Sequence, residues 1–145
     1  MKPQVVEELA ARGVTIVEDP SQVPADSVLV IRSHGVPQST YQQVEELGVR
    51  CCDATCPFVA KIHKIVDEHS AQGAVVLIAG NPNHPEVLGI RGHCHGDEYC
   101  FHDEAELENL ILSHSEWDPP PYIMVAQTTF NLFTFDGLIR AFISI

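Results

Sequence analysis

The chain has 145 residues, 45% of them apolar, with a mean hydropathy of +0.03, enough for one ordinary globular domain or two small lobes around buried cores. Twenty acidic residues against eight basic ones give a net charge of −12, which argues against nucleic acid or an anionic membrane as partner but leaves room for a small anion in a local pocket. No run approaches the ~18 apolar residues of a membrane span, and Met1 to Glu8 lacks the pattern of a signal peptide, so the five cysteines are expected as reduced thiols or metal ligands in a cytoplasmic protein.

Pro3 to Arg12 carries Val5, Val6, Leu9 and Ala10 at helical spacing, with Gly13 to close the helix, and Val14 to Val17 is expected as a short strand. Pro20 and Pro24 leave room for no more than a turn before Ser27. Val28 to Ile31 is an unbroken apolar run, as expected of a parallel strand covered on both faces, and it delivers Ser33-His34-Gly35 to its end. A helix follows from Pro37 to Leu47, with Tyr41, Val44 and Leu47 on one face and Gly48 as its stop. The next strand, Val49 to Cys52, runs into Asp53-Ala54-Thr55-Cys56-Pro57. Pro57 opens a helix to about Gln72, with Val59, Ile62, Ile65 and Val66 as its buried stripe. Cys56 thereby stands at the positive end of a row of backbone dipoles.

Ala74 to Ala79 is again a strand, followed by Asn81-Pro82-Asn83-His84-Pro85-Glu86 and a short helix over Val87 to Ile90. His93 to Cys100 is a polar excursion that looks like an exposed insertion and ends in a short strand, Tyr99 to His102. Asp103 caps a helix with Leu107, Leu110 and Ile111 on one face. A proline-rich loop, Ser113 to Pro121, precedes the strand Tyr122 to Ala126, and Leu138, Ile139 and Phe142 mark a final helix. Strands and helices alternate throughout, so the fold class is α/β with parallel sheet. The expected division is 1–56 for a first lobe and 57–145 for a second, with Cys56 on the seam.

Four strand ends therefore carry chemistry: Ser33-His34-Gly35, Cys56, His84 with Glu86, and Gln127-Thr128-Thr129. In open α/β sheets, ligands bind in the crevice outside the carboxyl ends of the strands. Each residue also has a plainer role open to it. His34 and His84 are candidate ligands or ordinary polar loop residues. Glu86 is a candidate proton donor or simply the first turn of the helix after Pro85. Thr128 and Gln127 are ligand contacts or helix caps. Cys51 and Cys52 are expected to be packing residues, because free cysteine is commonly buried. His93, Cys94, His95, Cys100 and His102 are zinc-ligand types in close succession, but no C-x-x-C pair accompanies them.

Taken together, these motifs resemble one family, 4-hydroxy-3-methylbut-2-enyl diphosphate reductase, the LytB or IspH enzymes. The resemblance rests on Pro3-Gln4-Val5-Val6-Glu7-Glu8-Leu9, Arg32-Ser33-His34-Gly35-Val36, and Asp53-Ala54-Thr55-Cys56-Pro57 with Val59, Lys61 and His63. His84-Pro85-Glu86-Val87 followed by Gly89, and then Gln127-Thr128-Thr129, complete it in the family's order. It implies a three-lobed α/β fold around a [4Fe-4S] cluster held by three cysteines, of which Cys56 is the middle one. It also implies that His34, His84 and Thr128 bind substrate, the histidines at its diphosphate and Thr128 beside Glu86, which relays protons. The implied reaction is reductive dehydroxylation of an allylic diphosphate to isopentenyl and dimethylallyl diphosphates, with ferredoxin or flavodoxin as electron donor. By the same resemblance the family's first and third cluster cysteines fall before Met1 and after Ile145, a further diphosphate histidine falls where Met1-Lys2 stands, and the third lobe is absent. The expectation is thus a fragment of the reductase, inactive alone. The alternatives are a non-catalytic α/β module binding a metal or phosphate through the remaining half-site, and a zinc-binding module.

Overall fold

The parallel strands expected from the apolar runs assemble into two sheets. The structure, a computed structural model, describes residues 3–113 and 121–143. In chain order its elements are α1 (Pro3–Ala11), a single 3-10 turn (Pro20–Gln22), β1 (Val28–Ile31), α2 (Gln38–Leu47), β2 (Arg50–Asp53), α3 (Pro57–Ser70), β3 (Val75–Ala79), α4 (Pro85–Arg91), β4 (Glu98–Phe101), α5 (Glu104–Ser113), β5 (Tyr122–Ala126) and α6 (Leu132–Ile143). β1 and β2 pair in parallel, with Ile31 opposite Asp53. The second sheet has the order β4-β3-β5, again all parallel, with Ala79 opposite Phe101 on one side and Ala126 on the other. Residues 114–120 of the expected Ser113 to Pro121 loop lie outside the described residues.

β3 explains why the second sheet is the core. All five of its residues, Val75 to Ala79, are buried, and successive side chains point to opposite faces. Val76 and Ile78 pack on one face with Val66 of α3 and Val87 and Ile90 of α4. Val75, Leu77 and Ala79 pack on the other with Phe101, Leu107 of α5 and Leu138 of α6. Both faces are therefore covered by helices, which is why the run is apolar without alternation.

The first sheet is built differently from the expectation. Val28 and Val30 of β1 are exposed, at 49% and 60%, and only Ile31 of that strand is buried. β2 is exposed along its whole length, so Cys51 and Cys52 are surface thiols and not the packing residues expected. An unbroken apolar run implies two-sided burial, whereas in this two-stranded sheet much of the strand surface stays open among the described residues. Val14 to Val17 forms no strand; the segment is irregular, with Val14 and Ile16 exposed. The α3 stripe also shifts by one position: Val59, His63, Val66 and Ser70 are buried, while Ile62 and Ile65 are half-buried.

The contrast between the sheets gives a stability test. Leu77→Ala deletes a side chain that is 0% exposed and is expected to cost about 2–5 kcal/mol, read from the urea midpoint. Val30→Thr on the open sheet should stay within about 0.5 kcal/mol of wild type.

Candidate functional site

The strand ends bring His34 to His84 and Glu86 to Thr128. Beyond β1, the Gly35 amide donates to the Arg32 carbonyl (3.0 Å) in a tight turn where Gly35 takes φ +69°, so a residue without a side chain suits it. This turn projects His34 into solvent. Beyond β3, His84 caps α4: its Nδ1 accepts from the Glu86 amide at 3.2 Å, and Pro85 fills the first helical position. With Nδ1 thus engaged, Nε2 carries the proton of the neutral ring and is the donor left for a ligand. The His34 and His84 rings meet edge to face, with centroids 5.5 Å apart.

Glu86 follows directly and is only 1% exposed. A buried carboxyl group must be hydrogen-bonded, and Thr128 from the end of β5 supplies both donors. Its amide donates to Glu86 Oε1 at 2.7 Å and its hydroxyl to Oε2 at 2.9 Å. Gln127 extends the ladder through its amide to the Ala79 carbonyl (2.9 Å), and its side-chain oxygen accepts from the Asn81 amide (3.3 Å). A cleft of about 350 Å³ opens beside these groups, lined by Asn81, His84, His102, Gln127 and Thr129 among others.

Cys56 stands past the end of β2, in the first sheet's part of the fold. It is the N-cap of α3, half-buried, with no side-chain capping bond. Its amide donates to the Ser33 carbonyl at 2.9 Å, which ties the thiol-bearing loop to the one bearing His34. Asp53, just before it, accepts from the Thr55 amide (2.9 Å), the Thr55 hydroxyl (2.5 Å) and the Tyr41 hydroxyl (3.1 Å). Burial works against the Asp53 charge, but the Thr55 and Tyr41 hydrogen bonds outweigh it and hold the carboxyl below its usual range. Among the described residues no group of three or more His, Cys, Asp or Glu side chains is placed to hold a metal ion. Four-iron clusters are held by several thiolates, so these residues do not by themselves fit such a cluster.

The His93 to His102 region is not the exposed insertion expected. Cys94 and Cys100 are half-buried and pack against the Val66–Val76–Ile78 core. Burial pushes the Cys94 thiol up to about 12 and that of Cys100 up to about 11, so both behave as small apolar groups. The others diverge: His95 Nε2 lies 2.7 Å from Asp67, His93 Nε2 lies 3.2 Å from the Val36 carbonyl, and His102 meets the Phe130 ring.

One residue, His63, was visible only as a member of a motif. It is 5% exposed on α3 and stacks on His93 with centroids 4.2 Å apart. Its spacing from Val59 and Val66, four and three residues, was the available signal.

The chain is thus an α/β protein whose histidines, buried carboxyl group and thiol gather at the carboxyl ends of parallel strands. It belongs to the family described as LytB protein, which matches residues 2–144. A relative from Solidesulfovibrio magneticus, named 4-hydroxy-3-methylbut-2-enyl diphosphate reductase, is 38% identical over 127 residues, covering 88% of this chain and 43% of that protein. One of the same name from Clostridioides difficile is 34% identical over 128 residues, covering 88% and 44%. A solved structure of (E)-4-hydroxy-3-methyl-but-2-enyl diphosphate reductase, described as the terminal enzyme of the non-mevalonate pathway, superposes with a TM-score of 0.76 at 30% identity, over 96% of this chain and 48% of that one. The Plasmodium falciparum reductase shares the fold, with a TM-score of 0.79 at 22% identity over 96% and 42%. The chain spans less than half the length of these relatives. No described helix is long and apolar enough to cross a membrane.

The electrostatics of His63 give a pH test. Burial, reinforced by His93 and opposed by Asp53, drives its imidazole from 6.5 down to about 4. Between those values the unfolded chain takes a proton there that the folded chain refuses. Stability should therefore fall as pH drops from 6.5 towards 4 and stay level, as far as this group is concerned, above 6.5. Urea unfolding at a series of pH values should show a shallower fall in His63→Gln; equal slopes would remove the assignment.

Proposed function

We propose that this chain is part of a 4-hydroxy-3-methylbut-2-enyl diphosphate reductase, an oxidoreductase of isoprenoid biosynthesis working in the cytoplasm, and that it supplies the diphosphate-binding and proton-handling half of the site. The observation that carries this is the pairing of His34 and His84 at 5.5 Å directly beside the Glu86–Thr128 pair. Two imidazoles at that separation can each donate to one diphosphate. Residues 1–56 and 57–145 are on this reading two lobes meeting near Cys56.

The reaction adds two electrons and two protons to an allylic diphosphate; the C–O bond breaks and the hydroxyl leaves as water. His34 and His84 hold the diphosphate end. Glu86, with Thr128 as its hydrogen-bonding neighbour, hands over the proton that turns a poor leaving group into water. Thr128 can do this because its hydroxyl rotates: it donates to Glu86 in one state and accepts from a protonated carboxyl in the other. Electrons come from a ferredoxin or flavodoxin. Cys56 is proposed as one thiolate of a [4Fe-4S] cluster whose other ligands the described residues do not supply.

Two experiments separate these roles. With the segment transplanted into the full-length Solidesulfovibrio magneticus relative, Glu86→Gln keeps the shape but cannot cycle a proton, so kcat should fall by ~10² or more with KM little changed. His84→Ala should raise KM first. Near-normal turnover in Glu86→Gln would remove the proton role. For the cluster, anaerobic reconstitution of the isolated chain should give no stoichiometric brown species that survives desalting. A stable cluster lost in Cys56→Ser would mean that a second chain or the other cysteines provide ligands.

A further inference from the structure

The loop bearing His34 and the helix bearing His84 and Glu86 come from different sheets, and one ring stands between them. A Cβ added at Gly35 would lie 2.5 Å from His63 Cε1 and 3.3 Å from Nδ1. A Cβ at Gly89 would lie 3.1 Å from His63 Nε2 and 3.5 Å from the His34 carbonyl oxygen. The imidazole is therefore wedged under the glycine next to His34 on one edge and under the glycine three residues beyond Glu86 on the other. On its flat side it is backed by His93, at 4.2 Å and an interplanar angle of 25°, and His93 is itself anchored at the Val36 carbonyl. The same two segments are clamped further along by Pro37 against Gly92 and by the Gln38 amide to the Gly92 carbonyl at 3.3 Å.

Hydrogen bonding at Nε2 does not account for His63, since that nitrogen is buried and has no partner. A buried unpaired nitrogen costs stability, so the ring must offer something that a hydrogen-bonded or wholly apolar side chain would not. Its shape does: a flat five-membered ring stacks on His93 and still slides beneath two glycines, where a six-membered ring or a branched chain would press on either backbone.

We propose that His63 is a positioning residue, the spacer that sets how far apart His34 and His84 stand and hence the spacing of the two imidazoles offered to a diphosphate. For its ligand the proposal rests on the function given above; for its geometry it does not. The test uses the chain itself, inorganic pyrophosphate as probe, and nuclear magnetic resonance of the histidine rings. In wild type the His34 and His84 rings should show a through-space contact. His63→Ala should lose that contact while the β3 resonances persist, and pyrophosphate should bind about tenfold more weakly, as expected when one of two charge-assisted hydrogen bonds is misaligned. Added imidazole should refill the hole and restore both. A folded His63→Ala that keeps the ring contact, or one that imidazole leaves unrestored, would overturn the proposal. Should His63→Ala fail to fold, Gly89→Ala decides, because it pushes on the same ring from the other side; unchanged His34 and His84 signals in that variant would also overturn it. Absence of pyrophosphate binding in wild type would instead sink the diphosphate assignment, and the ring contact would still judge the wedge.

Discussion

A carboxyl group at 1% exposure is the constraint that the second sheet satisfies. Left unpaired, the Glu86 group would cost several kcal/mol, and the two donors that relieve it both come from Thr128, 42 positions away in the chain. Thr128 reaches it because β5 lies beside β3 in a register that sets Ala126 opposite Ala79, and the Gln127 amide then bonds to the Ala79 carbonyl. A one-residue slip of β5 would send each of its side chains to the opposite face of the sheet and move Thr128 off Glu86 in the same step. Sheet packing and site geometry are therefore one requirement, imposed by the same hydrogen-bond ladder.

The first sheet is subject to a weaker discipline. β1 and β2 bury little, yet their ends are fixed by the ladder running on past the strands: the Ala54 amide reaches the Ile31 carbonyl and the Cys56 amide reaches the Ser33 carbonyl. His34 and Cys56 thus owe their positions to backbone hydrogen bonds and to α3 more than to a core beneath them. α3 serves both sheets. Val66 faces the core of the second, while its Cys56 cap is bound to the loop of the first.

How far the sequence could lead depended on whether a feature was local. β3, β5 and the opening of α3 at Pro57 were legible because an apolar run, or a proline at a first helical turn, carries its own explanation. The strand ends bearing His34, His84, Glu86 and Thr128 followed from the same runs. Cys51 and Cys52 are exposed against expectation because residue type says how often a side chain is buried, not whether another layer covers that strand. Val14 to Val17 failed for a similar reason: β-branched residues fit a sheet, but among the described residues no neighbouring strand pairs with them. His63 was harder still. Its helical spacing places it on the inner face, but what it touches are two glycines from distant segments, and glycine announces freedom of the backbone without saying which ring fills the space it leaves.

An acidic chain proposed to offer a site to an anion is less paradoxical than the net charge of −12 suggests. Exposed charges beyond a Debye length, about 8 Å at physiological salt, are largely screened, so the groups in contact decide. Of those, the nearest carboxylate on the proposed site is Glu86, and an unpaired negative charge there would oppose a diphosphate held by His84. Its oxygens are instead taken up by the Thr128 amide and hydroxyl, which spread that charge into the end of β5. On the proposed function a carboxyl group thus stands two positions from the histidine that binds the anion, with both of its oxygens already hydrogen-bonded. In the proposed reaction Glu86 is neutral while it carries the proton and becomes charged on giving it up, and the Thr128 amide and hydroxyl are then in place to hold the carboxylate that results.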